Sequence, residues 1–257
     1  MKKDQFVIAC LENSATADIV LPWARHCAEK LKKGLILLNV SDDGQNDWLK
    51  QYGLPYIGLK RDWKTAIDGL PTDFGGVLAV SATDPSASRR SLAHPSTLLR
   101  SFRDCKIAYL AVGSQPVKTD TATLTIDHRH ESKEKLIWAS YMVRFFGSNL
   151  HVVAPRYKDQ GLLQRQRNNL RFMEKIYASL EIEYSVDTPS INNFQNPDQL
   201  AIETTRPDIL VAMTTDQRDR DMGDMIMGTP ERRLLSHPMC PPLLLLNHRD
   251  DLYVLCD

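Results

Sequence analysis

Val7-Ile8-Ala9-Cys10-Leu11-Glu12 is a continuous apolar run closed by an acid, and Leu124-Thr125-Ile126-Asp127 repeats that pattern later in the chain. The offset that carries Glu12 to Asp127 also carries Pro22-Trp23-Ala24 to Ile137-Trp138-Ala139. It carries Leu35-Ile36-Leu37-Leu38-Asn39 to Leu150-His151-Val152-Val153-Ala154 as well. A somewhat larger offset aligns Val77-Leu78-Ala79-Val80-Ser81-Ala82-Thr83-Asp84 with Ile209-Leu210-Val211-Ala212-Met213-Thr214-Thr215-Asp216. A period this long exceeds the roughly 20–50 residues of a solenoid unit and matches a domain instead. The chain therefore reads as two fused copies of one domain, the first over 1–114 and the second over 121–248, with 249–257 as a tail. The polar, proline-bearing stretch Gln115–Asp120 reads as the exposed linker between them.

Within each copy, short β-rich runs alternate with longer stretches of helical periodicity, the pattern of βαβ units. Buried parallel strands are expected at 6–11, 35–40, 55–58, 76–81 and 107–112, then at 122–127, 149–154, 182–186, 208–213 and 242–247. The fold class is accordingly α/β, two tandem domains each with a five-stranded parallel sheet. Ala17, Leu21, Ala24, Ala28 and Leu31 form one apolar stripe on the first helix, with Lys30, Lys32 and Lys33 at its C-terminal end and Gly34 as its stop. The second copy gains a long helix from Asp159 to Leu180, in which Leu162, Leu163, Leu170, Met173, Ile176, Tyr177 and Leu180 recur at helical spacing. Arg165, Arg167, Arg171 and Lys175 read as its solvated face.

Across 257 residues, 42% apolar and 25% charged content suits about two globular domains with real cores. The 32 basic and 32 acidic side chains cancel, which leaves no global field to gather nucleic acid or anionic lipid. No apolar run approaches the ~18 residues that span a bilayer, and the start of the chain lacks a signal-peptide hydrophobic region. A soluble cytoplasmic protein is expected, with no nucleic-acid or membrane partner. Cysteines at 10, 27, 105, 240 and 256 form neither a CxxC pair nor a metal-finger spacing, so reduced thiols are expected, with Cys256 the most exposed.

The stretch Gly228-Thr229-Pro230-Glu231-Arg232-Arg233-Leu234-Leu235-Ser236-His237-Pro238-Met239-Cys240-Pro241-Pro242-Leu243-Leu244 resembles the end of a universal stress protein domain. In that family a Gly-Ser or Gly-Thr pair opens a helix, and a His-x-x-Cys-Pro turn leads into the last strand. Glu12 and Asp127 likewise match the acid that ends the family's first strand. The resemblance covers essentially the whole chain in the family's tandem form. It implies a doubly wound, Rossmann-like domain related to the adenine nucleotide alpha hydrolases, with ligands at the carboxyl ends of the strands. It also implies a candidate ATP site, since members that hold ATP carry Gly-x-x-Gly-x9-Gly-Ser/Thr after the fourth strand. Glycines there let backbone N–H groups approach the phosphates at a helix N-terminus.

Only the last glycine of that signature is present, because counting back from Gly228 places Arg218 and Thr215 at the other two positions. Asp216, Asp219 and Asp221 crowd the same loop, opposed only by Arg218 and Arg220. The first copy has no glycine between Gly76 and Gly113, and Ala93-His94 takes the place of the helix-opening pair. Ser86, Ser88, Arg89 and Arg90 offer a different set of anion donors. Glu12 is one methylene longer than the family's aspartate, which disturbs contacts to adenosine hydroxyls.

Asp127-His128-Arg129-His130 is the densest polar cluster at an expected strand end. Alternate residues of a strand point to opposite sides, and no third ligand is fixed by spacing, so the cluster is not read as a metal site. His237 reads as a structural turn residue. No Gly-x-Ser-x-Gly, Walker or dinucleotide fingerprint occurs. The expected function is that of a non-catalytic universal stress protein without a complete ATP motif, working by small-ligand or protein binding. Asp127, Arg218, Gly228 and Thr229 are the residual nucleotide or anion site, and no cofactor is required. The alternative is an adenine-nucleotide switch or weak ATPase in which Arg218 and Arg220 replace the missing glycine contacts. The family implies that the last strands, 107–112 and 242–247, pair between domains, and a homodimer is a further expectation. Leu252–Cys256 reads as an added strand.

Overall fold

The computed structural model describes residues 4–41, 46–60, 62–129, 133–192, 195–215, 228–237 and 240–247. Among these, the residues within Met1–Val117, Thr214–Cys240 and Leu245–Asp257 form one compact unit, and those within Lys118–Met213 and Pro241–Leu244 form a second. The chain passes from one to the other between Val117 and Lys118, inside the polar stretch. The described residues of the segment Thr214–Cys240, which the repeat groups with the second copy, pack with the first unit.

The first unit contains strands β1 (Phe6–Leu11), β2 (Gly34–Val40), β3 (Tyr56–Leu59), β4 (Gly76–Ala82) and β5 (Ala108–Val112) in the order β3-β2-β1-β4-β5. All four adjacent pairs are parallel, with Leu11 opposite Asn39 and Cys10 opposite Ser81 at the carboxyl ends. Val7 through Leu11 and Leu78 through Ala82 are buried, as expected of central strands covered on both faces. Helix α1 (Ser14–Leu31) covers this sheet with Ala17, Val20, Leu21, Ala24, Cys27 and Ala28, residues three and four apart. Its N-terminus is closed by a capping box, in which the Asn13 side chain accepts the Thr16 N–H while Thr16 accepts the Asn13 N–H.

Gly34 does not end α1. The left-handed cap falls on Lys32, at φ 54° and ψ 48°, and Gly34 is already the first residue of β2. Its missing side chain serves packing instead, since a Cβ there would run into the Phe6 ring. After β3 come the short helices α2 (Trp63–Asp68) and α3 (Leu70–Asp73), and α4 (Pro95–Phe102) leads into β5.

In the second unit, β6 (Thr121–Thr125), β7 (Asn149–Val153), β8 (Ser185–Asp187) and β9 (Ile209–Met213) lie in the order β9-β6-β7-β8, again parallel. β6 occupies the place among its neighbours that β1 occupies in the first unit. Helix α5 (Lys133–Tyr141) continues through a π turn at Met142–Phe146 to Gly147, whose φ of 75° closes the helix. Helix α6 (Gln160–Leu180) starts at the Asp159 cap, and Gln166, Met173 and Tyr177 are its buried stripe. Arg165, Arg167, Arg171 and Lys175 are exposed on it, as expected. α7 (Pro197–Thr205) precedes β9, α8 (Pro230–Leu235) packs in the first unit, and β10 spans Leu243–Leu246. Strand β8 is shorter than the expected 182–186, because Ile182 is buried as part of the cap of α6, donating its N–H to the Tyr177 carbonyl.

The described cysteines, Cys10, Cys27, Cys105 and Cys240, are buried and form no disulfide, while Cys256 and the expected strand at Leu252–Cys256 lie outside the described residues. Burial pushes the Cys105 thiol up to about 11 and those of Cys27 and Cys240 up to about 12, so all three stay protonated at neutral pH. Among the described residues, no helix is long and apolar enough to cross a membrane.

The Lys32 cap yields a test. A side chain held in the left-handed region costs about 1 kcal/mol, part of which glycine gives back through its freer unfolded chain. Lys32→Gly is therefore expected to raise stability by about 0.5–1 kcal/mol. Lys32→Val is expected to lower it, both read from urea midpoints at constant slope.

Candidate functional site

Central parallel strands bring their polar side chains together where they end, so the residues just beyond β1 and β6 are the first place to seek a ligand. In the first unit that residue is Glu12, half-buried. Its N–H donates to Thr16 Oγ1 at 3.0 Å, and its carbonyl accepts from Asn39 Nδ2 at 3.4 Å. Asn39 is buried at the end of β2, donates to the Leu11 carbonyl at 2.5 Å, and leaves Oδ1 without a partner. The Glu12 side chain crosses to the loop after β4. Oε1 accepts the Leu92 N–H at 2.7 Å, and Oε2 accepts the Ser91 hydroxyl at 2.5 Å and the Ala93 N–H at 3.3 Å.

The rest of that loop is closed on itself. Asp84 Oδ1 accepts both the N–H and the hydroxyl of Ser86, Ser88 Oγ accepts the Arg90 N–H, and Thr97 Oγ1 donates to the Arg89 carbonyl. Ser86, Ser88, Arg89 and Arg90 are all exposed, and the first two hydroxyls already serve the loop. His94, at the position matching the family's helix-opening residue, caps α4 by accepting the Ser96 N–H on Nδ1 at 3.2 Å.

In the second unit Asp127 lies beyond the end of β6, 5% exposed. Arg129 folds back on it, donating from its backbone N–H to Oδ1 at 2.8 Å and from Nε and Nη2 to Oδ2 at 2.5 Å each. Burial alone would raise the Asp127 pKa, but the guanidinium of Arg129, then Lys135, outweigh it and hold the carboxyl below its ordinary range. Lys135, buried on α5, donates to the Thr125 carbonyl at 2.5 Å. Arg129 Nη2 also lies 3.9 Å from the buried carboxylate of Asp198. His128 meets Tyr157 edge to face at 5.0 Å, and burial lowers its pKa, so the ring is neutral at pH 7.

Two side-chain amides of α6 complete this end. Gln166 Nε2 donates to the carbonyls of Ile126 and Pro155 at 2.9 and 2.7 Å, and Asn169 Nδ2 to those of Asp127 and Arg129 at 2.8 and 2.7 Å. Sequence reasoning missed both, although Gln166 stands on the apolar stripe of α6, three residues after Leu163 and seven before Met173. A polar residue at a buried helical position is the signal that could have found it.

Of the expected nucleotide residues, Asp127 belongs to the second unit and Gly228 and Thr229 to the first. Arg218, Arg220, Asp216, Asp219, Asp221 and His130 lie outside the described residues. Gly228 is buried at φ 83°, and Thr229 is the N-cap of α8 without a side-chain cap bond. Thr215, where the family's first glycine stands, donates its hydroxyl to the buried carboxylate of Glu231 at 2.8 Å. His237 is exposed in the turn after α8. Among the described residues, no three His, Cys, Asp or Glu side chains group as metal ligands.

No family model matches the chain, and no curated protein does. Solved structures match nearly its whole length. A universal stress protein from Archaeoglobus fulgidus DSM 4304 superposes with a TM-score of 0.61 at 12% identity, over 93% of this chain and 98% of that one. A functionally unknown protein from Pseudomonas aeruginosa PAO1 gives 0.60 at 14% identity, over 98% and 95%. The cytoplasmic domain of a prokaryotic cation chloride cotransporter gives 0.54 at 11%, over 98% and 100%. The fold is that of the universal stress proteins, and these identities speak to the fold alone.

The Asp127–Arg129 pair sets a pH dependence. Because its folded pKa lies below the unfolded value near 4, Asp127 contributes stability at neutral pH that is lost as the pH falls below about 4. Asp127→Asn is expected to flatten that acid limb. Arg129→Met strands a buried carboxylate and should cost about 2–4 kcal/mol at pH 7, discounted because the outer part of Arg129 reaches solvent. Thermal melts from pH 3 to 8 read both.

Proposed function

We propose that this chain is a cytoplasmic, tandem member of the universal stress family that acts by binding, to a small ligand or to another protein, and not by turnover. The observation that carries the reading is at the position of the family's first phosphate-binding glycine, where Thr215 carries a side chain bonded to the buried Glu231. A triphosphate entering there would displace a hydroxyl and meet a carboxylate. These residues do not fit ATP. Asp127, which the family would offer to a ribose, is held by Arg129.

The reading gains support from the neighbourhood of Gly228. Its φ of 83° is one that side chains rarely adopt, and a Cβ would meet Arg232 Cδ at 3.0 Å, so glycine is required there whether or not a nucleotide binds. Survival of that glycine is therefore no argument for a working ATP motif.

The test is direct. Isothermal titration of the full-length protein with ATP and Mg²⁺ is expected to give no saturable heat up to millimolar nucleotide, and mass spectrometry of small molecules released from the purified protein should find no adenine nucleotide. Stoichiometric ATP in either experiment would instead establish the nucleotide switch.

A further inference from the structure

The two amides that tie α6 to the strand ends, Gln166 on the carbonyls of Ile126 and Pro155 and Asn169 on those of Asp127 and Arg129, fix how the helix is turned about its axis. With Met173 and Tyr177 buried beneath, its outer face is set as well. Along that face Arg167, Arg171 and Lys175 stand four residues apart, at about 6 Å per step. Gln164, Asn168 and Phe172 make the neighbouring row, four apart again, with Arg165 beside it. All seven are exposed, and Gln164 Nε2 donates to Asn168 Oδ1 at 3.2 Å. We infer that this face of α6 docks single-stranded nucleic acid, its cations on successive phosphates and Phe172 against a base.

The charge on this face is uncompensated. Between Gln160 and Leu180 Glu174 is the only acid, and among the described residues none of Arg165, Arg167, Arg171 and Lys175 is in an ion pair. Like charges four residues apart oppose helix formation, so the row works against folding and calls for an anionic partner along its length. The neutrality of the whole chain does not cancel it, because charges more than about 10 Å away are screened at moderate salt. What accompanies the cations decides between polyanions. Phe172, 39% exposed, offers a ring for stacking beside Arg171, and the Gln164 and Asn168 amides suit base edges or phosphate oxygens. An anionic bilayer would ask for several apolar side chains on the outer face, and Phe172 is the only large, exposed apolar residue among those described on α6. The neighbouring helix extends the surface. α5 and α6 are the crossovers from β6 to β7 and from β7 to β8, which step the same way along the sheet, so both lie on one side of it. Arg144 joins them, donating from Nη2 to the Leu180 carbonyl at 2.8 Å. Exposed Arg144 and the next residue, Phe145, 44% exposed, thus stand past the Lys175 end of the row.

The inference goes beyond the functional reading above and rests on other residues, so ATP binding would overturn that reading and leave this one standing. The test is fluorescence anisotropy of a labelled oligouridine titrated with the full-length protein at several salt concentrations. Saturable binding is expected, with log K falling against log salt at a slope of about −2 to −3, because each phosphate neutralised on a single strand contributes about −0.7. Arg171→Gln is expected to make that slope shallower by about 0.7 and to melt no lower than wild type, since it separates like charges. Arg167→Gln, Arg171→Gln and Lys175→Gln together should weaken binding at least about tenfold at low salt. Phe172→Ala should weaken it about fivefold or more with the slope unchanged, the signature of a stacked base. Circular dichroism checks each variant, and the single variants, all at exposed positions, carry the test if the triple variant does not fold. No binding at low salt, or equal binding by wild type and triple variant, would overturn the inference. So would polyglutamate binding as tightly as oligouridine with Phe172→Ala without effect, which makes the face a general polyanion attractor. Binding to phosphatidylglycerol vesicles and not to oligouridine would assign the face to a membrane and overturn it equally.

Discussion

A parallel sheet covered on both faces forces its polar chemistry to the strand ends, and in both units the residue just past the central strand is an acid that must find partners there. The two acids solve the problem differently. Glu12 has the length to cross to the loop after β4 and takes donors from Ser91, Leu92 and Ala93. Asp127 is shorter and takes Arg129 from its own loop, with Lys135 close by. One methylene separates an acid that organises a distant loop from one that organises its own. Much else at these ends follows: the Asn39 clamp on Glu12, and the Gln166 and Asn169 amides on the carbonyls around Asp127.

The strands were legible in the sequence because buried parallel strands are uninterrupted apolar runs, and β1, β4 and β9 begin and end within a residue of where those runs do. α6 was legible for the complementary reason, a stripe at helical spacing behind an Asp cap. Misreadings arose where one residue type serves two physical purposes. Gly34 looked like a helix stop, but Lys32 carries the left-handed turn and the glycine clears space for the Phe6 ring. Ile182 looked like a strand residue, but its apolar side chain is buried in closing the end of α6.

The candidate site was legible in its positions and not in its partners. Glu12 and Asp127 were singled out correctly as strand-end acids, yet no spacing rule pairs Glu12 with a loop about 80 residues on. Arg129 is two residues from Asp127, which in a continuing strand would point it to the same face without bringing the guanidinium back. Because β6 ends at Thr125, the chain turns, and both the backbone N–H and the guanidinium of Arg129 reach the carboxylate.

The same distinction between a position and its use governs the two helix openings. Ala93-His94-Pro95 and Gly228-Thr229-Pro230 stand before α4 and α8, each with proline at the first helical turn. Gly228 needs its φ of 83°, whereas Ala93 sits before the same kind of helix without a positive φ and still presents its N–H to an anion. A glycine that looks like the remnant of a phosphate motif is thus explained by local backbone, while the opening without glycine is the one that holds a negative charge. Donor geometry, more than the letter at each motif position, decides that the opening before α4 holds a carboxylate of the chain itself.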